Sequence, residues 1–172
     1  SIVIPVLNEA AHVREALAPL QSLRARGHQI IVVDGGSSDG TLGKVDGLVD
    51  LAIASQRGRA TQLNAGLGLA AGDVVLFLHA DTVLPTHADK HIREGLALAG
   101  RVWGRFDVQI VGRSMLLPMV AAMMNLRSRL TGIATGDQAI FAMRAALNSI
   151  GGVPSLALME DVALSKRLKR LS

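Results

Sequence analysis

The chain has 172 residues, 49% of them apolar and 19% charged, which suits one domain with a sizeable core and excludes a disordered chain. Cysteine is absent, so disulfides, thiolate metal sites and a cysteine nucleophile are excluded, and a cytoplasmic location is compatible. The formal charge of +4 is mild, and one Trp, three Phe and no Tyr leave few rings for base stacking, so no nucleic-acid partner is expected.

In chain order, Ile2 to Leu7 is a short β-rich run closed by Asn8-Glu9, with no basic segment before it to mark a signal peptide. Val13, Ala16, Leu17, Leu20 and Leu23 fall at helical spacing, with Gly27 as a stop. Ile30 to Val33 reads as a buried strand and leads into the turn-rich Asp34-Gly35-Gly36-Ser37-Ser38-Asp39-Gly40. Leu51 to Ala54 is a weaker strand, and Ala60 to Ala71 a helix stopped by Gly72. Val74 to Leu78 is the clearest buried strand and ends at His79-Ala80-Asp81; a helix follows over His87 to Ala99. Trp103 to Val111 alternates in part, as a strand does. Ser114 to Leu130 spells a long Met-rich helix with Pro118 in its first turn. Ala139 to Met143 reads as a strand, and Glu160 to Leu171 as a basic helix. The charge-free stretch Met115 to Asn125 is far shorter than the about 20 apolar residues a bilayer span needs.

Alternating strands and helices predict an α/β domain with a largely parallel sheet covered on both faces. Functional groups in such sheets gather at the carboxyl ends of strands. Here three strands end in Asn8-Glu9, in Asp34 and in His79-Ala80-Asp81. Loop and cap duties explain any one of these ends; the coincidence of three points to a site. Asp34 to Thr41 is neither a dinucleotide fingerprint nor a P-loop, since G-x-G-x-x-G and G-K-[ST] are absent. His79-Ala80-Asp81 offers ligands that, with diphosphate oxygens, suit Mg²⁺ or Mn²⁺. Glu160-Asp161 opens a helix, where acidic residues also complement the dipole.

Taken together, the motifs resemble the inverting family 2 glycosyltransferases of the GT-A fold, closest to the bacterial radical-SAM/selenodomain-associated, arsenosugar-type branch. The residues that carry the resemblance are Pro5-Val6-Leu7-Asn8-Glu9, Asp34 to Thr41, Arg57-Gly58-Arg59-Ala60, Asn64-Ala65-Gly66, His79-Ala80-Asp81, Gly136-Asp137-Gln138 and Glu160-Asp161, in an order that covers almost the whole chain. The resemblance implies a single GT-A domain over 1–172, a three-layer Rossmann-like fold, and a further C-terminal segment on the acceptor side. It implies a nucleotide-diphosphate sugar donor, with Pro5, Asn8 and Glu9 lining the nucleotide pocket, Asp34 on the base and Arg57 nearby. Asp137 and Gln138 would sit near the sugar or acceptor. Asp81 would hold the metal, with His79 standing where the family usually has the first carboxylate of D-x-D. Asp161 would be the catalytic base, with Glu160 as the alternative. A GT-A-like nucleotidyltransferase and a non-catalytic nucleotide-sugar binding module are the other readings. The first would want a Gly-rich basic loop after the first strand, where this chain has Pro5 to Glu9. Finally, the apolar residues of Ser114 to Leu130 run around more of a helix than one core-facing stripe needs. Part of this helix is expected to be exposed in a monomer, for a second subunit, an apolar acceptor or a peripheral membrane contact; a homodimer ranks first.

Overall fold

The computed structural model describes residues 1–98, 100–156 and 158–171. β-Branched residues, stiff at their first side-chain torsion and suited to a pleated surface, make up most of β1 (Ile2–Val6) and β2 (Ile30–Asp34). The two strands pair in parallel from Ile2 with Ile30 to Val6 with Asp34. β3 (Leu51–Ala54) adds in parallel outside β2, and β4 (Val74–Phe77) in parallel on the other side of β1. β6 (Phe141–Met143) runs antiparallel to β4 and carries β5 (Trp103–Gly104) at the edge, giving the order β3-β2-β1-β4-β6-β5.

Side chains alternate across this sheet and fill two separate cores. Ile2, Ile4, Val6, Ile30 and Val32 face one layer, with Val13 and Leu17 of α1 (Val13–Leu17), Leu23 of α2 (Gln21–Ala25) and Ile92 of α5 (Ala88–Leu96). Val3, Ile31, Val33, Val75 and Phe77 face the other. That layer holds Leu63 and Leu67 of α4 (Arg59–Leu69), Leu147 of α7 (Arg144–Ser149), and Leu164 and Leu168 of α8 (Glu160–Leu168). Gly66 lets α4 lie close on β1, because a Cβ there would stand 2.3 Å from Val3 Cγ1. The expected three-layer α/β architecture with a largely parallel sheet is the one observed.

Several elements differ from the sequence expectation. The helix expected over 13–23 is split into α1 and α2 by a 3-10 turn, Ala18–Leu20, because Pro19 has no N–H to continue the helical ladder. α3 (Thr41–Lys44) is a single turn too short to show a period. The alternating run 103–111 forms a strand only at β5. Beyond it, the Asn125 side chain of α6 (Leu117–Thr131) bonds both the N–H and the C=O of Val108, each at 2.9 Å, in place of a neighbouring strand. The end of the helix expected over 87–99 falls at Ala99, outside the described residues. α6 starts with Pro118 in its first turn and buries only Ala121 and Ser128. Among the described residues no helix is long and apolar enough to cross a membrane.

The chain turns from building one side of the sheet to building the other between β1 and β4. Their register pairs end at Val3 with Phe77, while β1 runs on to Val6. Pro5, beyond that point, has no N–H to offer a neighbour. The crevice outside the carboxyl ends of strands at such a switch point is where open α/β sheets place ligands.

Candidate active site

A cavity of about 310 Å³ occupies that crevice, lined by Pro5, Val6, Leu7, Glu9, Arg57, Gly58, Arg59, Gln62, His79, Ala80 and Asp81. Three chain segments therefore meet in it. Pro5 and Glu9 come from the end of β1, Arg57 and Arg59 from the entry to α4, and His79 and Asp81 from the end of β4. Two guanidinium groups, Arg57 and Arg59, face the open cleft and can offer forked donors to a phosphate or diphosphate, beside the Glu9 and Asp81 carboxylates that also line it.

The loops around this cavity are stapled by side chains to backbone. Asn8 adopts a left-handed φ of 56°. Its N–H donates to Ser37 Oγ at 2.8 Å, and its Oδ1 accepts from the Ser38 N–H at 2.9 Å. The Glu9 N–H donates to Thr41 Oγ1 at 2.9 Å and the Ala10 N–H to Asp39 Oδ2 at 2.9 Å. Asp34, only 2% exposed, accepts from the N–H groups of Gly36 and Ser37 and from the Ser37 hydroxyl. Asn8 thus holds the two loops together, Asp34 braces the turn that follows β2, and neither lines the cavity. Asp39 is part of the same latch. The Thr41 hydroxyl, then the Ala10 N–H, hold its carboxyl below the usual carboxylate range.

Gln62 is a participant that the sequence reading missed. It is buried, and its amide donates to Val6 O at 2.9 Å and Val33 O at 2.8 Å, closing the gap between the ends of β1 and β2. A polar residue one turn before Gly66, on the face of α4 that meets the sheet, was the available signal.

The second half of the chain supplies the remaining groups. His79 Nδ1 lies 3.4 Å from Asp137 Oδ1, and its Nε2 packs against Gly136, where a Cβ would stand 2.3 Å away. The Gly136 N–H donates to Asp161 Oδ2 at 2.6 Å. Glu160 is 3% exposed and faces Arg59, with 3.4 Å between Nη1 and Oε1. Glu160 and Asp161 line a hollow of about 20 Å³ that shares Arg59 and His79 with the main cavity. They stand one side chain behind its wall. Met159, just before them, has a left-handed φ of 62°, and Ala139 one of 46°; such residues collect at functional sites.

Asp137 lines a different cavity, of about 710 Å³, together with Asp81, which borders both. Gln138 lines neither. It is fully buried, its Oε1 accepts from the Thr135 N–H and its amide donates to Asn125 Oδ1, each at 3.3 Å, so it braces the 3-10 turn Gly136–Gln138. The site is therefore a nucleotide-sized polar cleft and a larger second cavity, meeting at Asp81.

That arrangement on this sheet defines a GT-A-type glycosyltransferase fold, and solved structures agree. A mannosyltransferase from Pyrobaculum calidifontis, in complex with GDP-Man and Mn²⁺, superposes with a TM-score of 0.71 at 24% identity, covering 95% of this chain and 49% of that one. Glucosyl-3-phosphoglycerate synthase from Mycobacterium tuberculosis, with Mn²⁺, UDP and glucosyl-3-phosphoglycerate, gives 0.71 at 21% identity over 99% of this chain and 65% of that one. Residues 1–145 match the family Glycosyl transferase family 2, and the chain belongs to it. Among curated relatives, poly-beta-1,6-N-acetyl-D-glucosamine synthase of Staphylococcus epidermidis is 26% identical over 98% of this chain. The chain spans 45% of the length of that relative.

Proposed function

We propose that residues 1–172 form a glycosyltransferase domain that moves a sugar from a nucleotide-diphosphate donor to an acceptor hydroxyl with inversion. The observation that carries this reading is Asp81, a carboxylate on the wall between a cleft holding Arg57 and Arg59 and a second cavity. The relatives' bound GDP-Man and UDP support a nucleotide-sugar donor. Assignment to the arsenosugar-type branch rests on the motif order alone.

The acceptor oxygen forms a bond to the anomeric carbon as the bond from that carbon to the diphosphate breaks, its electron pair leaving with the nucleotide on the opposite face. Arg57 and Arg59 face the charge that grows on the leaving group. Asp161 is assigned as base and takes the hydroxyl proton; its Oδ2 is oriented by the Gly136 N–H. Because Asp161 stands behind His79, this role requires the His79 ring or the entry to α8 to shift when donor binds.

Asp81 fits a divalent cation of the Mg²⁺ or Mn²⁺ kind. It is exposed and has one weak contact, from the Thr82 hydroxyl at 3.3 Å, leaving oxygens for a hard ion that keeps waters and diphosphate oxygens. When bound, that ion supplies charge neutralisation for the leaving diphosphate. His79 fits less well, with one nitrogen facing Asp137 and the other against Gly136. Among the described residues no three His, Asp or Glu side chains converge as a ready cage.

Isothermal titration with GDP and UDP, with and without Mn²⁺, tests this. Binding should tighten with Mn²⁺, and Asp81→Ala should remove that gain, about tenfold or more, while leaving metal-free binding intact. Unchanged Mn²⁺ dependence in Asp81→Ala would sink the metal assignment. Donor binding without any donor turnover would instead favour the binding-module reading.

A further inference from the structure

The second cavity says what kind of acceptor the domain takes. Its walls are Val83, Leu84 and Pro85 after β4, Phe106 and Ile110 on the segment after β5, and Met124 of α6. At 710 Å³ it has the volume of a site for a small organic molecule. No Lys, Arg or His is among the described residues lining it. Its charged groups are Asp81, Asp107 and Asp137. Asp107 is neutralised by Arg105 and Arg129, both of which it bonds. A phosphate or carboxylate entering here would meet the Asp137 carboxylate, the Asp81 carboxylate as well where no cation holds it, and no lining Lys, Arg or His.

The cavity also continues outward as apolar surface. Val111 forms part of its lining and is 93% exposed. Elsewhere on α6, Met119 and Met123 are 55% and 64% exposed. The wall is tied at two points: Asn125 clamps Val108 to α6, and the Phe106 N–H donates to Gln138 O at 2.8 Å.

We infer that the acceptor is a neutral amphiphilic alcohol: a hydroxyl placed at the Asp81 end and carried on an aliphatic or isoprenoid body that runs along Phe106, Ile110 and Met124 to Val111. This rests on the glycosyltransferase reading and narrows its substrate class. The transfer balances as before. The alcohol oxygen replaces the diphosphate oxygen on the anomeric carbon, the nucleotide diphosphate leaves, and the alcohol proton passes to a carboxylate of the site.

The test uses the whole chain and two neutral probes, octyl β-glucoside below its micelle concentration and methyl β-glucoside, titrated in the presence of GDP and Mn²⁺. Each methylene fully buried is worth about fourfold in affinity, so even partial burial should favour the octyl probe by about thirtyfold or more. Val111→Asp changes an exposed position and should fold as the parent does. It should reduce the octyl advantage about tenfold and leave GDP binding unchanged. Ile110→Asp, deeper in the wall, should do the same or more. Glycerol 3-phosphate should bind more weakly than either glucoside. Equal affinity for the two glucosides, an octyl advantage untouched by both Asp variants, or tighter binding of glycerol 3-phosphate would each overturn the inference. Octyl binding lost only in Met119→Gln with Met123→Gln would place the probe on the outer helix face and also overturn it. Failure of GDP to bind, with the octyl advantage intact, would bring down the donor reading and leave the apolar site standing.

Discussion

The two walls of the site are built by different means. On the proposed assignment, residues 1–81 make the donor wall from buried parallel strands whose loops are cross-stapled through Asn8, Ser37, Asp39 and Thr41. On the same assignment, residues 103–139 make the acceptor wall from an extended segment with little ladder pairing, tied to α6 by one asparagine and one aspartate. Large apolar side chains are exposed along much of the second wall, whereas in the first only Leu42 and Leu69 are, at 36% and 44%. Strand ladders and staples preorganise a polar cleft, whereas Met-rich, loosely paired surface can re-pack around shapes that differ. The contrast predicts little tolerance to change on the donor side and much on the acceptor side.

Chemistry should break first. Asp161→Asn should cut turnover by about 10²–10⁴-fold and leave nucleotide binding nearly intact. If turnover survives in that variant and is lost in Glu160→Gln, the role of base moves to Glu160. Next comes the donor-side core: Gly66→Ala drives a methyl group to 2.3 Å from Val3 Cγ1 in fully buried surroundings. It should cost about 1–3 kcal/mol, read as a lower midpoint in urea.

A smaller effect concerns the latch. The Asp39 carboxyl is held below its usual range, so its folded pKa is lower than its unfolded one, near 3.9. The latch is therefore fully present above that pH and is lost as pH falls through the lower folded value. Amide NMR signals of Ala10 and Thr41 should stay constant from pH 7 to about 4 and move together below it; Asp39→Asn should abolish that step. The smallest effect belongs to the acceptor side. Met119→Gln with Met123→Gln should leave thermal stability within about 0.5 kcal/mol, because both side chains are exposed. Unfolding of that double variant would show that α6 is core after all and erase the contrast.

The donor wall was largely legible in the sequence because its code is local. Runs such as Ile30 to Val33 announce strands, and polar residues just after them announce a strand-end site. The roles of Asn8 and Asp34 were not legible: only the three-dimensional meeting of two loops shows that Asn8 is spent on Ser37 and Ser38, and Asp34 is spent on the turn that carries Ser37. Gln138 failed for the same reason: its motif position suggested substrate, and its burial makes it a brace. The segment 103–111 misled because alternation reports exposure on two sides, whichever neighbour provides the second side. Here that neighbour is Asn125, whose role depends on a helix docking seventeen residues later. Exposure of α6, by contrast, followed directly from too many apolar positions for one stripe.

Asp81 belongs to both cavities, and shared ownership has a thermodynamic consequence. On the proposed assignment, a donor that arrives with its cation cancels the Asp81 charge, and the acceptor cavity then loses one of its anionic groups. Occupancy on one side thus changes affinity on the other. Linkage requires the factor to be identical in both directions: whatever donor does for acceptor binding, acceptor does for donor binding. An interaction factor that collapses to one when Asp81 is replaced by Asn is the signature that a single carboxylate on a common wall would leave.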